Sequence, residues 1–66
     1  MEAHEVKCGT KVVVVSEEVR TPPGALQINK GDEITIQKLD GMYCTGIDED
    51  SNRIYIAAWT EVEVCG

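Results

Sequence analysis

The sequence predicts an all-β fold, five short strands forming a small barrel or sandwich. Its apolar residues fall in short β-branched runs or in strict alternation, as in Val12-Val13-Val14-Val15, Glu33-Ile34-Thr35-Ile36, Arg53-Ile54-Tyr55-Ile56 and Val62-Glu63-Val64. Turn-forming clusters separate these runs at short spacing: Pro22-Pro23-Gly24, Lys30-Gly31-Asp32, Asp40-Gly41 and Glu49-Asp50-Ser51-Asn52. No segment is long enough, with the right apolar period, for an amphipathic helix, and no internal repeat or low-complexity tract is present. A chain of 66 residues holds one domain and buries a modest core.

Taken in order, residues 1–10 lack an apolar period and read as a flexible N-terminal tail, so the domain is expected to span residues 11–66. The valine run from Val12 to Val15 reads as a largely buried first strand. Ser16 to Asn29 forms a long first loop with a Pro-Pro-Gly turn at its tip, and Leu26 and Ile28 alternate so that both can face the core. After the tight turn at Lys30-Gly31-Asp32, the alternation from Glu33 to Leu39 gives a second strand. Gly41, which tolerates positive φ, reverses the chain into a third strand over Met42 to Asp48. A polar tip leads into the fourth strand at Arg53 to Ala57. Ala58-Trp59-Thr60-Glu61 then fits one short helical turn before the last strand, Val62 to Val64.

Composition narrows the function. Twelve Asp and Glu against six Lys and Arg give a net charge of −6. That field repels phosphate backbones and anionic lipid, so neither nucleic acid nor a membrane is an expected partner. It favours a basic partner, or simply keeps the domain soluble. The three cysteines, Cys8, Cys44 and Cys65, make no CxxC pair, and the single histidine, His4, lies in the N-terminal stretch, so no metal site or other cofactor is expected. An odd cysteine count and a polar Met1 to Lys7 segment point to reduced thiols and a cytoplasmic location. Cys8 and Cys65 flank the first and last strands, which leaves a bridge between them open. No nucleophile stands with a base, and a barrel this small fills its interior with its own side chains, so the expectation is a protein that is not an enzyme.

The order of elements, over roughly Lys11 to Val64, resembles the Src-homology-3 domain. Ala25-Leu26-Gln27-Ile28-Asn29-Lys30-Gly31-Asp32-Glu33-Ile34 is similar to the segment that follows the long first loop in that family. Asp40-Gly41-Met42-Tyr43-Cys44-Thr45-Gly46 stands where the family has a tryptophan pair followed, after one residue, by Ala or Gly. Tyr55-Ile56-Ala57-Ala58-Trp59-Thr60-Glu61-Val62-Glu63-Val64 is similar to its Tyr-Ile-Pro-Ser-Asn-Tyr-Val ending, with one extra residue. The resemblance implies a five-stranded SH3-like barrel and a groove that takes proline-containing or basic peptides in polyproline II conformation.

Most groove aromatics of that family are replaced here. Val15 and Glu17 stand for its two opening tyrosines, Ala57 for its groove proline, and Thr60 or Trp59 for the tyrosine of its helical turn. Tyr43 and Trp59 are left as aromatic platforms, with Trp59 equally suited to closing one end of the barrel. Glu17 and Glu18 at the base of the first loop and Asp40 beside the second supply acidic contacts, while Arg20 repels a cationic ligand. The expected ligand-binding set is therefore Tyr43, Trp59, Ala57, Glu17, Glu18 and Asp40. The expected role is an atypical SH3 domain of a signalling or scaffold protein, monomeric in isolation, that binds a protein or peptide partner weakly. The alternative is a structural barrel packed permanently against another domain or subunit.

Overall fold

A computed structural model describes residues 1–65 of the chain. Five strands form: β1 (Lys11–Val14), β2 (Glu33–Asp40), β3 (Tyr43–Asp48), β4 (Arg53–Ala57) and β5 (Val62–Val64). They make one antiparallel sheet in the order β4-β3-β2-β1-β5. Consecutive strands β1 to β4 meander, and β5 returns to the far side of β1, with Val13 opposite Glu63. The sheet is open: β4 and β5 are its edges and do not pair with each other. The all-β expectation holds at this level, whereas the sheet does not close into a barrel. Among the described residues no helix is long and apolar enough to cross a membrane.

The period of two places one side chain in two on the core face. Val12 and Val14 of β1, Ile34 and Ile36 of β2, Cys44 of β3, Ile54 and Ile56 of β4 and Val62 of β5 are all buried there. Each fully buried Ile stabilises the fold by about 2 kcal/mol relative to leaving it in water. The valine run is only half as buried as the sequence implies, because Val13 and Val15 point to the other face and stay partly exposed. Ile28 reaches the core from the first loop, but Leu26, expected beside it, is 47% exposed. The alternation at Leu26 and Ile28 is not carried by a strand, so no sheet partner turns both to one side.

Two local features bend the sheet. A register shift between Ile36 and Lys38 leaves Gln37 as the extra residue of a bulge in β2. Gly46, opposite Ile36 on β3, lets the two backbones come close, since a Cβ there would overlap the Thr35 carbonyl oxygen. The turns follow their sequence signals. The Ala25 N–H donates to the Pro22 carbonyl at 3.1 Å with Gly24 at φ 85, the geometry of a Pro-Gly type II turn.

Residues 1–10 are not a detached tail. Ala3 is completely buried, a 3-10 turn spans Ala3–Glu5, and the Val62 N–H donates to the Met1 carbonyl at 2.8 Å. A small residue at position 3 lets this segment lie against the core, a fit that the polar residues around it conceal. The short helical turn expected before β5 is instead a hydrogen-bonded reverse turn, with the Thr60 N–H donating to the Ala57 carbonyl at 3.0 Å. The only 3-10 element among the described residues is the N-terminal one. These connections also cover the sheet edges, since Met1 lies along β5 and the Ala57 N–H of β4 donates to the Arg20 carbonyl at 2.9 Å.

Candidate functional site

The long connection between β1 and β2 is held in place at several points. The Ser16 hydroxyl donates to the Glu18 carbonyl at 2.6 Å, the Ala57 amide holds Arg20, and Val19 packs partly against the core. At the far end the Asn29–Asp32 turn is clamped to β1, with the Gly31 N–H donating to the Val14 carbonyl at 2.7 Å and the Val14 N–H to the Asp32 carbonyl at 2.9 Å. The Lys30 ammonium donates to a Glu17 carboxylate oxygen at 2.5 Å, tying the two ends of the connection together.

This ordering opens a cleft of about 740 Å³ between the connection and the turn before β5. Glu17, Glu18, Val19 and Arg20 form one wall, Gln27, Ile28 and Asn29 another, and Trp59 stands at the rim. Trp59 is the only tryptophan and is 47% exposed, so it does not close the core. The charge of the cleft is nearly balanced: Glu17 is paired with Lys30, and Arg20 lies on the same wall as Glu18. What the cleft offers is an aromatic platform, an apolar floor at Val19 and Ile28, and one carboxylate, Glu18, to meet a cation.

Comparison of the chain with protein-family models, with curated proteins and with solved structures finds no match.

Three of the expected residues, Glu17, Glu18 and Trp59, thus meet around one cleft. The other three form a separate cross-strand row: Tyr43 pairs with Asp40 on β2 and with Ala57 on β4. Ala57 is 0% exposed, so its side chain touches no ligand, which corrects its place in the expected set. Its contribution is the N–H that holds Arg20 at the cleft wall. Tyr43 is half-buried beside it and Asp40 is exposed at the hairpin end; neither lines the cleft. Sequence reasoning missed Val19, Gln27 and Asn29. They are ordinary loop residues, and only the path of the loop brings them to Trp59.

A second, smaller cleft of about 310 Å³ lies between the Leu26–Ile28 segment and the tip of the β3–β4 hairpin. Asp32, Glu33, Asp48, Glu49 and Asp50 line it. Most of these carboxylates are already engaged. Asp48 accepts from the Asn52 N–H at 2.8 Å and the Asp50 N–H at 2.9 Å, and these donors, Asn52 first, hold its carboxyl below the usual aspartate range. Asp32 accepts from the Asn29 N–H at 2.8 Å. Lys11 Nζ lies 3.1 Å from Glu33 and 3.6 Å from Glu49; the Glu33 hydrogen bond and charge, helped by Glu49, raise the lysine pKa. Among the described residues no set of three His, Cys, Asp or Glu side chains gathers in a form able to hold a metal ion.

The cysteines stay apart in role. All three are free thiols: Cys8 exposed, Cys65 half-buried and Cys44 in the core. Burial, together with the nearby Cys8, pushes the Cys44 thiol above its ordinary value.

Proposed function

We propose that this chain is a non-catalytic protein-interaction module, an atypical Src-homology-3-like domain that binds an extended peptide in the cleft beside Trp59. The observation that carries the reading is the half-exposed Trp59 at the rim of an open cleft walled by Glu17, Glu18 and Arg20. Exposed tryptophans over apolar floors are the usual anchors of peptide recognition. The strand order, with β5 returning beside β1 and a long β1–β2 connection, supports the family resemblance. The near balance of charge in the cleft favours a peptide with an apolar or proline anchor on Trp59 and one cation on Glu18, in preference to a strongly basic one.

Titration of the labelled domain with a proline-rich, arginine-bearing peptide tests this. Amide shifts are expected at residues 17–20 and 27–29 and at the Trp59 indole N–H. Shifts confined to the Asp40–Tyr43 end would move the site, and no shift at Trp59 would end the assignment.

A second reading is favoured by one different observation. Leu39 and Met42, at the β2–β3 hairpin, are 55% and 64% exposed, which suits a face packed permanently against another domain or subunit. Sedimentation of the isolated domain distinguishes the two. A stable monomer that binds free peptide supports the first reading, while self-association abolished by Met42→Ser supports the second.

A further inference from the structure

The turn that presents Trp59 is gripped from both sides by the N-terminal segment. The Ala3 N–H donates to the Thr60 carbonyl at 2.8 Å, and the His4 N–H donates to the Ala58 carbonyl at 2.9 Å. The two carbonyls that flank Trp59 are therefore both satisfied by consecutive amides of one 3-10 turn. Ala3 is completely buried and belongs to the main core cluster, so this grip is anchored in the fold.

The segment is also braced internally. The Glu2 N–H donates to Glu5 Oε1 at 2.7 Å, forming a capping box, and His4 Nε2 lies 2.6 Å from Glu2 Oε1. The Val6 N–H donates to the Ala3 carbonyl at 3.1 Å, and Val6 packs partly against the core.

The other contacts of the turn are of a different kind. The Ala57 and Ala58 amides donate to Arg20 and Met42, and the Thr60 amide donates back to Ala57. These fix the turn's N–H groups, whereas the carbonyls of Ala58 and Thr60 are bound by the N-terminal segment. Thr60 is buried, so the bond from Ala3 to its carbonyl is shielded from competition by water while the segment is in place.

We propose that the segment from Met1 to Val6 is a strap that positions Trp59 for ligand binding, with Ala3 and His4 as the positioning residues. This rests on the reading of the Trp59 cleft as the peptide site. A platform on a short exposed turn loses conformational freedom when a ligand lands on it, and that loss weakens binding. With the strap in place the turn is ordered beforehand. The strap acts through the backbone of the turn, at the Ala58 and Thr60 carbonyls, and is held there by the burial of Ala3 in the core.

Two full-length variants test it. Ala3→Glu places a charge where the strap enters the core and is expected to expel the strap. Glu2→Ala/Glu5→Ala removes the capping box and the His4 partner without altering the core. Because Trp59 is the only tryptophan, its fluorescence reads the turn directly. In both variants the emission is expected to move to the red, and acrylamide quenching to rise, while the far-UV spectrum of the sheet is kept. Affinity for the proline-rich, arginine-bearing peptide is expected to fall about tenfold, the scale of one or two lost backbone hydrogen bonds.

Wild-type emission, quenching and affinity in a folded Ala3→Glu protein would overturn the proposal. If that variant does not fold, the same wild-type values in Glu2→Ala/Glu5→Ala overturn it. Should no peptide bind even the unaltered chain, the cleft reading fails by itself, and the Trp59 emission of the variants still decides whether the strap sets the turn.

Discussion

Replacing Gly46 with alanine tests how tightly β2 and β3 are wound together. Gly46 sits opposite Ile36, beside the bulge at Gln37, where the sheet bends. An added Cβ would overlap the Thr35 carbonyl oxygen, and would lie 3.3 Å from the Thr35 carbonyl carbon and 3.4 Å from Ile54 Cδ1. The first two atoms are backbone in the middle of a five-stranded sheet, with no rotamer to relieve the overlap. Overpacking of this kind costs about 1–3 kcal/mol, and a main-chain partner puts Gly46→Ala near the upper end, about 3 kcal/mol. A domain of this length has a total stability of roughly 3–10 kcal/mol, so the variant loses a large part of it. For a small domain this lowers Tm by about 12–24 °C, read by circular dichroism on heating and checked by urea unfolding. Gly24→Ala is the comparison: its φ of 85 strains alanine by about 1–2 kcal/mol, but open space surrounds it. A Gly46→Ala protein that melts within about 4 °C of the parent, or above Gly24→Ala, would refute the close-approach argument.

Other outcomes follow from the same geometry. Trp59→Ala is expected to weaken peptide binding by about thirtyfold or more, a hot-spot effect, while Tm moves by only a few degrees because the side chain is half exposed; calorimetric titration and a thermal melt separate the two. The Asp48 carboxyl is held below its ordinary 3.8 by the Asn52 and Asp50 amides, so its stabilisation of the β3–β4 tip is present above that value and lost as pH falls through the lower folded one. Asp48→Asn should therefore flatten the acid limb of a stability-against-pH curve, and an unchanged limb would remove Asp48 as its source. Lys11 has the opposite sign: its raised pKa gives stabilisation that is present below 10.5 and lost as pH rises through the folded value, so Lys11→Met should lower stability below 10.5 and flatten the alkaline limb. Exposed Cys8 should react rapidly with a thiol reagent and buried Cys44 only at the rate of unfolding, which mass spectrometry of timed samples can follow.

The strands were legible because their signals are local. Alternation at Ile34 and Ile36, Ile54 and Ile56, and Val62 places side chains on one face whatever lies across from them, and Gly24 and Gly41 announce their turns by the same local logic. Where the reading failed, the missing fact was non-local. Leu26 and Ile28 look equivalent in sequence, yet one is exposed and the other buried, because only Ile28 meets the core cluster. Ala57 carries an outward-facing register in β4, but the first loop crosses that edge at Arg20 and covers it. Ala3 is one small residue in a polar stretch, and nothing near it in the chain reveals that the core has room for it.

The candidate site shows the same division. Trp59, Glu17 and Glu18 could be named from residue type, since an aromatic platform and carboxylates are chemistry that a side chain carries with it. Their meeting around one cleft, the separation of Asp40 and Tyr43 from it, and the grip of Ala3 and His4 on the Trp59 turn were decided by the path of a loop and a terminal segment. The sequence by itself therefore determined the all-β character, the strand positions and the acidic charge, each a sum over near neighbours or over composition. Only the tertiary structure decided exposure and proximity, because both depend on which distant backbone packs over a residue, and no local pattern encodes that.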